Sequence, residues 1–145
     1  MVSPDVVRKR LRLLEGYLRK LERIRNSTDL QRFLKDSDQQ DIVERNLQLA
    51  IEAVLDIGQH IIASSGWAPI NEYADVFVTC LDHDVISDDL FVRVREMAGF
   101  RNVLVHEYAD IDRAQVFEIL QNGLDDLAAL ALAYQQFLDR ESEKC

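Results

Sequence analysis

The stretch SDQQDIVERNLQLAIEAVLDIGQHIIASSG, residues 37–66, decides the fold. Val43, Leu47, Ala50, Val54, Ile57 and Ile61 step by four and three along it, so they line one side of an α-helix. Ser37 with Gln40 three positions on has the spacing of a capping box, a feature that stabilises a helix start by about 1 kcal/mol. Ser64-Ser65-Gly66 closes the pattern and Pro69 blocks a restart. A helix over about 38–63 is roughly 39 Å long at about 1.5 Å per residue, which makes it the spine of a bundle.

The flanking sequence supplies helices to pack on that spine. Ser3-Pro4-Asp5 is a helix start, and Val7, Leu11, Leu14, Leu18 and Leu21 give an amphipathic helix to about residue 25. The polar break Asn26-Ser27-Thr28-Asp29 follows, then one or two turns over Leu30 to Lys35. Ile70, Tyr73, Phe77 and Cys80/Leu81 mark a shorter helix that stops near Asp82-His83-Asp84. Ser87 caps the next, with Asp88 and Asp89 suited to its N-terminal dipole, and Leu90 through Val105 provide its apolar side. Asp112 and Gln115 open a last helix with the stripe Val116, Leu120, Leu124, Leu127, Leu130, Tyr134 and Phe137, interrupted by Gly123. No useful strand alternation or solenoid repeat is present. The class is all-α: a compact antiparallel up-and-down bundle of about five main helices in one domain, residues 1–145.

Bulk composition narrows the function. Hydrophobic residues make up 48% and charged residues 30%, an ordinary soluble balance. The start MVSPDVVRKRLR has no apolar signal segment, and no run approaches the roughly 20 apolar residues of a membrane span. Cys80 and Cys145 are far apart and belong to no C-x-x-C pair, which fits a reducing cytoplasm. A net charge of −9 argues against a general nucleic-acid binder. The charge is uneven, however. Residues 1–25 carry eight Lys or Arg against three acids, residues 107–145 nine acids against three bases, and Arg93, Arg95, Arg101 and Arg113 cluster around one motif. This unevenness allows a local basic groove on an acidic body, although a solvated charged face explains residues 8–25 at least as well.

That motif is Arg101-Asn102-Val103-Leu104-Val105-His106-Glu107-Tyr108. Arginine is a permanent planar cation that fits phosphate oxygens. Histidine takes or gives a proton near neutrality, and tyrosine offers a hydroxyl and a ring on which a base stacks. On an ideal helix Tyr108 shares nearly one face with Arg101, whereas His106 lies about 140° around and stacks over Asn102. One straight helix cannot easily bring Arg101 and His106 to a single phosphate. Either the helix distorts near His106 or a second subunit supplies the missing partner.

Arg101 to Tyr108 resembles the R-x4-H-x-Y signature of the HepT-like ribonuclease toxins, a branch of the HEPN superfamily. The likeness extends to Val85-Ile86-Ser87, Met97-Ala98-Gly99-Phe100, and Glu44-Arg45-Asn46-Leu47-Gln48, Ala50-Ile51-Glu52-Ala53 and Asp56-Ile57-Gly58-Gln59-His60-Ile61 of the long helix, covering roughly residues 5–138. It implies a helical bundle that pairs into a homodimer and cuts RNA without metal or cofactor. It also implies a partner, a small nucleotidyltransferase (MNT-type) antitoxin that adenylylates the motif tyrosine, here Tyr108, with higher hetero-oligomers left open. Under that expectation Arg101, His106 and Asn102 are catalytic: His106 as acid-base, Arg101 on the phosphate, Asn102 orienting the imidazole or touching the phosphate. Arg93, Arg95 and Arg113 are candidates for holding RNA. The rival from another class is a non-catalytic HEPN module that binds a nucleotide or serves a nucleotidyltransferase as partner subunit; a plain helical scaffold is the third.

The remaining chemistry-bearing residues read as structural. His60, one turn after Asp56, suggests a structural hydrogen bond. Asp82-His83-Asp84 reads as a loop because three adjacent residues seldom converge on one ion. Trp67 anchors the turn after the long helix, Glu44 and Arg45 tie helices together, and Tyr17, Tyr73 and Tyr134 fit core stripes. Cys145 is a free tail residue.

Overall fold

A computed structural model of the chain describes residues 2–144, the side chain of Tyr108 excepted. The expectations placed on the Tyr108 side chain and on Cys145 therefore lie outside the described residues. Within them the order is α1 (Pro4–Ser27), α2 (Leu30–Lys35), α3 (Ser37–Ser64), α4 (Ala74–Asp82), α5 (Asp88–Val94), α6 (Met97–His106), a short 3-10 turn (Tyr108–Asp110), α7 (Arg113–Asn122) and α8 (Leu124–Glu143). The class is all-α, as the periodicity requires, and no helix is long and apolar enough to cross a membrane.

Helix α3 runs for 28 residues and packs against α2 and α7 and, more extensively, α1, α6, α4 and α8. That position explains why it buries more than one stripe. Besides Val43, Leu47, Ala50, Val54, Ile57 and Ile61, it also buries Ile51, Leu55, Gly58 and Ile62. Its start differs from the expected capping box. Asp36 is the N-cap, its Oδ1 accepting the Gln39 N–H at 3.0 Å, and the Gln40 amide instead donates to the Phe33 carbonyl at 2.8 Å. Asp36 is free to do this because α2 ends there, and a carboxylate caps as well as a hydroxyl while matching the helix dipole. At the other end Gly66 takes φ +73°, the Trp67 N–H reaches the Ile62 carbonyl and the Gly66 N–H that of Ala63. This is a Schellman closure, for which glycine suits the left-handed residue.

Asp82-His83-Asp84 closes α4 in the same way. Asp84 sits at φ 59°, and the Val85 and Asp84 N–H groups donate to Cys80 and Leu81 carbonyls at 2.8 and 3.1 Å. The His83 ring stacks on Trp67, centroids 3.9 Å apart, and Trp67 meets Phe137 edge-on. The turn after α3 is thereby fixed to the ends of α4 and α8.

Two expected helices are divided. The one opened by Ser87, whose Oγ accepts the Leu90 N–H, bends at Arg95–Glu96 into α5 and α6. Both bend residues keep right-handed helical angles. No glycine or proline marks the place; the bend exists because α5 packs on α8 and α6 on α3, so the two halves bury their faces in different directions. The last helix breaks at Gly123 into α7 and α8. A β-carbon there would lie 2.8 Å from the Ile119 carbonyl oxygen, a closeness only glycine permits.

Candidate active site

Helix α6 carries the motif from Arg101 to His106. Tyr108 lies beyond its end, in the 3-10 turn, so it does not continue the helix face of Arg101 as ideal helical spacing predicts. The buried residues of α6, Met97, Ala98, Phe100 and Leu104, hold it to the bundle, leaving Arg101 half-buried and Asn102 and His106 exposed. The element is helical from Met97 through His106, and the Glu107 N–H still bonds to the Val103 carbonyl at 3.0 Å. The bend lies upstream of the motif, not between its arginine and histidine. Within one chain these side chains therefore leave the helix on different sides. The helix is not distorted between Arg101 and His106.

Arg101 is held by several groups at once. Its Nε donates to Glu52 Oε1 at 3.2 Å and its Nη1 to Asn102 Oδ1 at 3.1 Å, while Cζ lies 5.3 Å from the Tyr73 ring centroid. The partners are themselves tied. Gln48 Nε2 donates to the same Glu52 oxygen at 3.0 Å. The Tyr73 hydroxyl donates to Asp56 Oδ1 at 3.0 Å, and Asp56 Oδ2 lies 3.6 Å from Arg10 Nη1. Burial first, and then the Asp56 carboxylate, pushes the Tyr73 hydroxyl above its ordinary pKa, so it stays a protonated donor. His106, by contrast, has no hydrogen bond or ion pair among the described residues. One member of the motif is clamped and the other is exposed at the helix end.

Asn102 points its carbonyl oxygen at the guanidinium rather than at the imidazole. The three outlying arginines differ among themselves. Arg93 Nε pairs with Asp126 Oδ1 at 2.9 Å, joining α5 to α8. Arg113 is half-buried against Glu44 at 2.9 Å and also donates to the Ile111 carbonyl at 3.0 Å. That contact is an ion pair without a well-aimed hydrogen bond, and burial raises the Glu44 pKa by more than Arg113 lowers it. Arg95 stands exposed at the bend. A cavity of about 380 Å³ between α6, α7 and α8, lined by Arg93, Phe100 and Asp126, contains neither Arg101 nor His106. A groove of about 420 Å³ between α1 and α3, lined by Lys9, Arg10, Tyr17, Glu52 and Asp56, does reach the clamp.

Glu52, Asp56, Tyr73 and Gln48 lie outside the motif yet belong to the network around Arg101. Their signal was the polar series Gln48, Glu52, Asp56 at steps of four along an otherwise apolar helix, one row of side chains on α3. Tyr73 is half-buried: its ring packs against the core as its stripe predicts, and it also belongs to this network. His60 does not bond to Asp56: its Nε2 accepts the Ser3 N–H at 3.2 Å and lies 3.5 Å from Ser64 Oγ.

The fold and the motif together define a helical bundle with an arginine and a histidine on one helix. More narrowly, the chain belongs to the ribonuclease HepT-like family, whose model matches residues 14–133. It is 32% identical over 123 residues to a protein of Aphanizomenon flos-aquae named tRNA nuclease HepT, covering 85% of this chain and 83% of that one. It is 25% identical over 135 residues to the mRNA nuclease HepT of Shewanella oneidensis, covering 93% and 95%. Among solved structures, the tri-AMPylated Shewanella oneidensis HEPN toxin in complex with MNT antitoxin superposes with a TM-score of 0.84 at 23% identity, over 92% of this chain and 99% of the other. YutE of Bacillus subtilis, a cytosolic protein of unknown function, matches with a TM-score of 0.84 at 20% identity, over 97% and 93%. These two likenesses show the fold.

Proposed function

We propose that this protein is the toxin of a toxin–antitoxin pair, an endoribonuclease that works without metal and is neutralised by a nucleotidyltransferase that adenylylates Tyr108. The observation that carries the reading is a pre-oriented Arg101 and an exposed His106 on one unbroken helix. Names of the relatives support it: two are ribonucleases, and one solved relative is an AMPylated toxin bound to its antitoxin. Because those ribonucleases are named for different RNAs, the chemistry carries over and the target does not.

The reaction needs Arg101 and His106 at one ribose-phosphate linkage. Since the helix separates them by about 140°, two copies of the chain meet about a two-fold axis and each supplies one of the pair. The imidazole removes the 2′-hydroxyl proton as that oxygen attacks phosphorus. The 5′-oxygen leaves with a proton from general acid catalysis, giving a 2′,3′-cyclic phosphate and a 5′-hydroxyl. Arg101 stabilises the charge that builds on the phosphate oxygens. Arg95 is the outlying cation free to meet the RNA backbone; Arg93 and Arg113 are committed to carboxylates and contribute chiefly by holding helices. Adenylylation of Tyr108, two residues beyond His106, brings a phosphodiester charge and bulk to the cleft and repels RNA.

The test is purified protein on end-labelled RNA, with and without chelator. Fragments ending in 2′,3′-cyclic phosphate and 5′-hydroxyl, formed equally with chelator, are expected. Absence of cleavage together with normal growth on expression of the chain alone would instead favour the binding-module reading.

A further inference from the structure

The clamp on Arg101 has a consequence beyond holding the bundle together. A guanidinium carries five N–H donors. Two of them are engaged, by Glu52 and Asn102, which leaves three, and the two terminal nitrogens form the fork that grips a phosphate. Engaging Nε fixes the direction of that fork. The Tyr73 ring fixes its plane from one side, and a hydroxyl donating to the Asp56 carboxylate enriches the ring on which the cation rests. Gln48 in turn holds the Glu52 carboxylate, so that the acceptor itself has one position.

We propose that Glu52 and Tyr73 are positioning residues for Arg101: they set the aim of the guanidinium before RNA arrives and partly offset its charge. This rests on the ribonuclease reading for its activity tests. The two effects act on different steps. Aim matters in the transition state, where a displacement of about 1 Å can cost about 100-fold in rate. The counter-charge of Glu52 weakens attraction to any polyanion, so its removal does not impair RNA binding. A catalytic rate that falls while KM holds or declines is the signature of this arrangement.

The experiment uses the full chain with Glu52→Ala, Glu52→Gln, Tyr73→Ala and Tyr73→Phe, each checked for native helicity and melting temperature. For Glu52→Ala, kcat should fall about 10- to 100-fold with KM unchanged or lower. Glu52→Gln keeps an oxygen acceptor and Tyr73→Phe keeps the ring, so both should recover to within about threefold of wild type, while Tyr73→Ala resembles Glu52→Ala. In an Arg101→Ala background Glu52→Ala should add nothing, because the residue it positions is gone. Full additivity in that cycle, or a raised KM with kcat intact, overturns the proposal. A readout independent of cleavage is the Arg101 Nε–H resonance, expected to be protected from solvent exchange in wild type and Glu52→Gln and lost in Glu52→Ala. Protection that persists in Glu52→Ala overturns the positioning role. Should wild type cut no RNA, the ribonuclease reading fails, and this resonance still decides whether Glu52 holds the arginine.

Discussion

Two sides of α3 show opposite uses of one helix. On one side Val54, Gly58 and Tyr134 make a dry contact. Tyr134 is fully buried, its hydroxyl donates to the Val54 carbonyl at 2.8 Å, and a β-carbon on Gly58 would strike Val76 and come within 2.9 Å of that hydroxyl. On the other side Gln48, Glu52 and Asp56 carry a half-buried polar network out to Tyr73 and Arg101. The dry side has no room and no freedom, as close-packed interiors require. The polar side ends in the arginine, half-buried and only in part open to solvent. Close packing and the polar network are thus assigned to separate rows of the same rod, and damage to one need not reach the other.

The largest separation is expected at the motif. His106→Ala should reduce RNA cleavage by about 10²- to 10⁴-fold, some 3–5 kcal/mol of barrier, while leaving the melting temperature unchanged because the side chain is exposed. Cleavage assays beside thermal melts check both halves, and a retained rate removes His106 from catalysis. The dry side should give the reverse pattern. Gly58→Val forces α4 or Tyr134 to shift and should destabilise by about 1–3 kcal/mol, measured by urea unfolding, with the specific activity of the folded fraction retained. Tyr134→Phe removes one buried hydrogen bond with little change in volume. It should cost about 1 kcal/mol in the same assay, again without effect on cleavage.

The smallest effect concerns His60, beside the polar network. Burial, and then the Arg10 charge, lower its pKa, and its Nε2 must be unprotonated to accept the Ser3 N–H. Below the unfolded value of about 6.5 the unfolded chain binds the proton more readily than the folded one, so this contribution is present above that pH and declines as pH falls through it. Wild type should lose slightly more melting temperature than His60→Gln between pH 7.5 and pH 5. Parallel loss in both proteins would assign the acid sensitivity elsewhere.

Much of the architecture was legible because it depends on near neighbours in the chain. The 4-3 apolar spacing located α1 and α3, Ser3 and Ser87 cap where expected, and Gly66 closes α3. The missed features were those with a choice among local solutions. Asp36 outcompeted Ser37 as cap, and Tyr73, which packs on the core as its spacing predicts, also takes up the guanidinium, which spacing does not reveal. The bend at Arg95–Glu96 had no local marker at all, since it answers to where α8 and α3 lie.

The sequence by itself determined an all-helical chain with a long central rod and an Arg101–His106 pair of the HepT-like pattern. Periodicity and motif spacing are properties of consecutive residues, and they need no partner from elsewhere. Only the tertiary structure decided that Glu52, forty-nine residues away along the chain, would clamp Arg101, and that Arg93 and Arg113 would be tied to Asp126 and Glu44. The reason is that a charged side chain several bonds long can reach many acceptors, and packing of the helices selects which one stands within about 3 Å.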